Sequence, residues 1–334
     1  MKKIIFLLFI LFSFKPLLFA QNCDSLLLES ITNPGPFIVS SINENLSGIR
    51  NGNDYDGATI FYPDNNSSFL ASIILVPGFM NTELTIQNWG SFFASHGIVT
   101  ITIGTNALTD THIQRRDALL DAIVSLKYEN NRLASPLYQR LDTLSIAVGG
   151  FSKGGGGAQL VPSIDSTIKA IVALYPWLDN PSASDLNHNI PLMIISGQLD
   201  AIAPPSIHAD IHYTLTPNTT EKLKYEVAFA SHDAISGPYA GNGEVGIRVF
   251  SFLQHFLLED SCYCPIVLSN PFTASSYITN IVCNDLTYLP SYSNVVKKVV
   301  QTIDIFGRIS DKSANNLFLD IYDDGTVEKR IIIK

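Results

Sequence analysis

Apolar positions along this chain follow two alternating periods. Between about residues 58 and 258, short apolar runs rich in β-branched side chains alternate with stretches whose apolar positions recur at helical spacing. That alternation predicts a mostly parallel sheet covered by helices. The expected strands are Ala58–Tyr62, Ser72–Val76, Gly97–Ile103, Leu144–Val148, Lys169–Leu174, Pro191–Ile195 and Leu223–Ala228. Several are unbroken runs such as Ile73-Ile74-Leu75-Val76, the pattern of strands buried on both faces. His112–Leu126 and Ile247–Leu258 carry the helical period and read as covering helices. The stretch Asp179–Ile190, rich in Asn, Asp, Ser and Pro, reads as a surface loop near the end of the strand that carries Leu174.

The pattern changes at both ends. Lys2 and Lys3 followed by the apolar run Ile4–Phe14 and by Leu18-Phe19-Ala20 form a secretory signal, with the mature chain starting near Gln21. Lys15 and Pro16 break the run before it could span a bilayer; the plainer reading is a buried N-terminal helix. Beyond Cys283, Asn294–Lys334 alternates short β-type segments with the turns Phe306-Gly307-Arg308 and Asp323-Asp324-Gly325, and no helical period survives. This predicts a small β appendage.

The chain has 334 residues and a formal net charge of −9, with no basic run in its body. Phosphate binding needs a concentrated basic face, so a nucleic-acid partner is excluded and a neutral substrate is expected. Four cysteines, Cys23, Cys262, Cys264 and Cys283, lie beyond the signal. An even number in an exported chain suggests two disulfides. In an extended C-x-C the side chains of Cys262 and Cys264 stand too far apart to bridge, which favours one bond to Cys283 and one back to Cys23. No histidine accompanies these cysteines at ligand spacing, so no metal is expected there.

The strongest local signal is Gly150-Phe151-Ser152-Lys153-Gly154, directly after the strand Leu144–Val148. A G-x-S-x-G corner between strand and helix presents its serine at the sheet edge, and the flanking glycines avoid clashes there. Gly155, Gly156 and Gly157 let the following helix approach the sheet and aim its N–H groups at developing negative charge. A serine nucleophile needs a base and an acid, in the chain order Ser, Asp, His. Asp200, in Ser196-Gly197-Gln198-Leu199-Asp200 after one strand, and His232, in Ala230-Ser231-His232-Asp233 after the next, supply them. Asp179, Asp185 and Asp233 compete with Asp200 but fit that order less well. His96, His112, His188, His208, His212 and His255 fall on helices or in other loops, where a surface or satisfied histidine is the default. The backbone N–H groups of Lys153 and of Phe79, in Pro77-Gly78-Phe79-Met80, are the expected oxyanion donors.

From Tyr55 to about Cys283 the chain resembles the bacterial cutinase-like polyester hydrolases, the group that includes enzymes acting on poly(ethylene terephthalate). The resemblance rests on Gly57-Ala58-Thr59-Ile60-Phe61-Tyr62-Pro63, Val76-Pro77-Gly78-Phe79, Ser95-His96-Gly97, Gly150–Gly157, Tyr175-Pro176-Trp177 and Leu199-Asp200-Ala201-Ile202-Ala203-Pro204. It implies an α/β-hydrolase fold, with a mostly parallel central sheet flanked by helices, over residues 21–284. It also implies a serine ester hydrolase needing no cofactor, working through Ser152, Asp200 and His232. Phe79, Trp177 and Ile202 would line a shallow substrate groove; a tryptophan after a strand is otherwise core. The family's C-terminal cysteine pair looks like Cys264, or else Cys262, with Cys283. Phe151 replaces the usual Trp or His before the nucleophile and Lys153 the usual Met after it, so substrate choice is open. Lys153 either charges the groove or points to solvent. Val299–Lys334 resembles the C-terminal sorting domain of the type IX secretion system of Bacteroidetes, which makes 285–334 an export address read by that machinery; otherwise it is a β-hairpin capping the domain. The expectation is a secreted or cell-surface, monomeric enzyme acting on polyesters. A lipase or esterase for small soluble esters, and a non-catalytic surface binding module, are the alternatives.

Overall fold

In the computed structural model, the residues described are 31, 34–43, 48–64, 69–235, 237–283, 299–304, 308–309, 317–322 and 327–331. The expected signal Met1–Ala20 and Cys23 lie outside them. The chain divides into two compact units, Met1–Asn284 and Asp285–Lys334.

In the first unit, nine strands among the described residues form one sheet in the order β1-β2-β4-β3-β5-β6-β7-β8-β9. They are β1 (Val39–Asn43), β2 (Ala58–Pro63), β3 (Leu70–Val76), β4 (Val99–Ile103), β5 (Leu141–Phe151), β6 (Ala170–Leu174), β7 (Leu192–Gly197), β8 (Lys222–Val227) and β9 (Ala274–Thr279). The run from β4 through β8 is parallel. β1 and β2 close one side antiparallel and β9 closes the other. This is the α/β-hydrolase architecture expected from the sequence.

The helices are α1 (Gln87–Ser95), α2 (His112–Asn131), α3 (Lys153–Leu160), α4 (Ala209–Leu215), α5 (Glu244–Phe256) and α6 (Cys264–Leu268). They cover both faces of the sheet, which is why every position of β3, β4, β6 and β7 is buried. Ile73 and Leu75 of β3 pack with Trp89 and Phe93 of α1 and Val249 and Phe252 of α5. The intervening Ile74 and Val76 pack on the opposite face with Ala118, Leu119 and Ala122 of α2. Burying each such branched side chain stabilises the fold by about 1.5–3 kcal/mol. Thr111 and Gln114 form a reciprocal capping box at the start of α2, worth about 1 kcal/mol.

Besides α6, four elements go beyond the sequence expectation. The edge strands β1 and β9 are half-exposed and polar, Val39-Ser40-Ser41-Ile42-Asn43 and Ala274-Ser275-Ser276-Tyr277-Ile278-Thr279. α1 is interrupted by Gly90 and crowded with aromatics, and α4 has only seven residues. None of them carries a clean period.

Cys264 is bonded to Cys283. Cys262 is also disulfide-bonded, whereas Cys23 lies outside the described residues. The Cys262-Tyr263-Cys264 segment is not extended as expected. A 3-10 turn over Ser261–Tyr263, capped by the Asp260 side chain on the Cys262 N–H, runs into α6 with Pro265 in its first turn.

In the second unit β10 (Val299–Asp304), β11 (Leu317–Tyr322) and β12 (Val327–Ile331) form an antiparallel sheet with β11 in the middle. No helix among the described residues is long and apolar enough to cross a membrane.

Candidate active site

Because β3 and β5 to β8 are parallel, their C-terminal ends share one edge of the sheet, and the sequence-predicted residues gather there. Ser152 follows β5 at φ 54° and ψ −119°, a conformation costly for a residue with a Cβ. Its surroundings over-determine it. The Ser152 N–H donates to Leu174 O (2.8 Å), and the Ser152 carbonyl accepts from the N–H groups of Gly156 (3.0 Å) and Trp177 (2.9 Å). A Cβ on Gly154 would lie 2.4 Å from Val76 O and 2.5 Å from Pro77 O, and one on Gly150 would lie 2.5 Å from the Gly154 carbonyl carbon. The corner can therefore form only with glycine at both positions. α3 starts immediately afterwards, leaving its first N–H groups facing the mouth of the site.

Asp200 lies beyond β7 and is 4 % exposed. Its Oδ1 accepts from the N–H groups of Ile202 (2.9 Å) and Ala203 (2.7 Å), and its Oδ2 lies 2.7 Å from His232 Nδ1. Since the carboxylate can only accept, Nδ1 carries the proton and Nε2 is left as the basic nitrogen. His232 begins the 3-10 turn after β8, and its ring packs on Phe151, the residue before Ser152, with centroids 4.9 Å apart. Tyr175 supports the imidazole edge-on at 6.0 Å. Burial, reinforced by the charge of Asp200, raises the Tyr175 pKa well above the usual phenol range. Asp185 instead accepts from the N–H and hydroxyl of Ser182.

Phe79 (45 % exposed) and Ile202 (53 % exposed) present apolar surface on the same edge, with Trp177 half-buried. Lys153 does not run out to solvent. Its ammonium sits 4.8 Å from the Phe79 ring centroid and 3.8 Å from Asp179 Oδ2. Asp179 in turn accepts from Trp177 Nε1 at 2.7 Å. That hydrogen bond, ahead of the opposing effect of burial, holds the Asp179 carboxyl below the ordinary range. His208 packs against the Trp177 ring at 4.3 Å, and His112 Nδ1 lies 3.6 Å from Asp179. Lys153, Asp179, His208 and His112 thus brace the wall of the site; of these the sequence placed only Lys153 near the groove. Asp179 looked like a rival acid, and the two histidines like bystanders.

Residues 25–284 match the family model described as PET hydrolase-like. The chain belongs to the PET hydrolase-like family. As a family member it is a carboxylic-ester hydrolase. It is 34 % identical over 239 residues to cutinase est1 of Thermobifida alba, covering 72 % of this chain and 77 % of that protein. A cutinase of Thermobifida fusca is 34 % identical over 250 residues, covering 75 % and 78 %. The bis(hydroxyethyl) terephthalate hydrolase of Streptomyces coelicolor is 28 % identical over 237 residues, covering 70 % and 72 %. Among the described residues of this PET hydrolase-like chain, no group of three or more His, Cys, Asp or Glu could hold a metal ion.

Proposed function

We propose that the protein hydrolyses polyesters through Ser152, His232 and Asp200. The observation that carries this reading is the buried Asp200–His232 pair, 2.7 Å apart, packed on the residue preceding a serine held at φ 54°. Ser152 Oγ attacks the ester carbonyl carbon while His232 Nε2 takes its proton. The N–H groups of Lys153 and Phe79 receive the negative charge that develops on the carbonyl oxygen. The C–O bond breaks, the alcohol leaves with the proton from His232, and Ser152 keeps the acyl group. Water, deprotonated by His232, then releases the acid. Asp200 orients the imidazole and stabilises its charged form.

Polyester is the favoured substrate because the apolar surfaces of Phe79, Trp177 and Ile202, presented on one edge of the sheet, suit an aromatic or aliphatic acyl unit at a polymer surface. The names of the cutinase and terephthalate-ester hydrolase relatives support the same substrate class. Export by the signal Met1–Ala20, and delivery of a monomeric enzyme to the outside or the cell surface by type IX machinery reading 285–334, complete the proposal. The separate three-stranded second unit supports the last step. The test is release of soluble monomers from a polyester film, compared with hydrolysis of emulsified triglyceride. Turnover of triglyceride or small esters with an untouched film defeats the polyester assignment.

A further inference from the structure

Arg115, in the first turns of α2, is completely buried. A buried guanidinium is expensive unless its donors are met. Here they are met by backbone carbonyls. Nη1 donates to Pro77 O (2.9 Å), Nη2 to Leu108 O (3.0 Å) and Nε to Asp110 O (3.2 Å). Burial lowers the Arg115 pKa to about 10, with the Asp110 charge opposing, so the group stays charged at neutral pH.

Two of those carbonyls control the loop after β3. The Pro77 carbonyl belongs to the peptide plane before Gly78. The Leu108 carbonyl, besides meeting Arg115, accepts the Met80 N–H at 2.8 Å, which fixes the plane after Phe79. Between these two planes the Gly78 carbonyl accepts from the Asn81 N–H at 3.2 Å, so the Phe79 N–H points the opposite way. Met80 is held in the left-handed region at φ 59°, a cost the loop sustains only while its ends are pinned. The loop lies against the nucleophile, since a Cβ on Gly78 would be 2.8 Å from Ser152 Cβ.

We infer that Arg115 is a positioning residue for ester hydrolysis: by gripping Pro77 O and Leu108 O together, it sets the direction of the Phe79 N–H that receives the oxyanion. The inference rests on the reading of Ser152 and Phe79 above. It assigns Arg115 no contact with substrate; its effect is confined to the transition state, where donor placement matters most.

The experiment measures kcat and KM on a short chromogenic ester, affinity for an arylboronic acid that forms a tetrahedral adduct on the serine, and thermal unfolding. The mature wild type, Arg115→Lys and Arg115→Met are compared. Arg115→Met should lower kcat about 100-fold, in the range for loss of one oxyanion donor. Boronate affinity should fall by a similar factor, KM should change less than about 3-fold, and Arg115→Lys should recover part of the loss. A folded Arg115→Met with kcat within about 2-fold of wild type overturns the inference. So does a loss of kcat that leaves boronate affinity intact. Should Arg115→Met fail to fold, a folded Arg115→Lys with wild-type kcat and boronate affinity is equally decisive. An inactive wild type would instead defeat the reading of the site itself.

Discussion

The corner that carries Ser152 and the wall that carries Trp177 stand on the same sheet edge but are held by different physics. At the corner, close backbone approach and backbone hydrogen bonds leave no alternative geometry. At the wall, side-chain charges on partly exposed Lys153 and Asp179 reach each other at 3.8 Å and lean on aromatic rings. Exposed ion pairs contribute about 0–1 kcal/mol and an exposed cation–ring contact about 0.5–1 kcal/mol. The proposed nucleophile is therefore sterically fixed, whereas the surface proposed to select the substrate is held by weak, salt-sensitive ties and can change without loss of the fold.

The comparison can be broken at several points. Ser152→Ala should reduce turnover of a short chromogenic ester by roughly 10⁴ or more; a residual rate within 10-fold of wild type would place the nucleophile elsewhere. Acid should act more gradually. Burial lowers the pKa of His188 to about 4 and of His212 to about 3, from 6.5 when unfolded. Both groups add stability that is full above pH 6.5 and is lost as pH falls towards those folded values, because the unfolded chain takes up the protons first. The unfolding free energy from denaturant titrations should therefore drop below pH 6.5, by about 1.4 kcal/mol per pH unit for each histidine. His212→Gln should flatten the slope, and an unchanged slope would remove His212 from the account.

Gly154→Ala should destabilise the protein by about 3 kcal/mol, because the new methyl meets two backbone oxygens that cannot move apart. Its unfolding midpoint decides the matter. Lys153→Met should leave the midpoint nearly unchanged and alter the rate on bulky aromatic esters only a few-fold relative to acetate esters, while removing the salt dependence of that ratio. If Lys153→Met proves as damaging as Gly154→Ala, the contrast between corner and wall is wrong. Trp177→Ala should likewise weaken turnover of bulky esters more than of acetate esters, and equal losses would take it out of the groove.

The parallel strands were legible because strands buried on both faces write unbroken apolar runs, Ile73–Val76 being the plainest. The Gly150–Gly154 corner was legible because backbone sterics allow so few residues there. Asp200 and His232 could be picked out by chain order together with their places after two successive strands. The edge strands β1 and β9 were not, since half of each faces water and leaves a polar sequence. Arg115 was invisible for a related reason: next to Arg116 on a helix it looks like surface, and only the packing of α2 against the β3 loop shows which guanidinium is buried. The wall contacts of Asp179 and His208 depend on loops from different strands meeting in space, which no local pattern encodes.

Cys264–Cys283 joins α6 to the segment just beyond β9, the final strand of the large sheet. A protease trimming the polypeptide past residue 284 would leave that outermost ribbon riveted at its far end. On the proposal that 285–334 is an export address, shedding it need not fray the catalyst, and the trimmed enzyme can keep the rigidity it had before the cut.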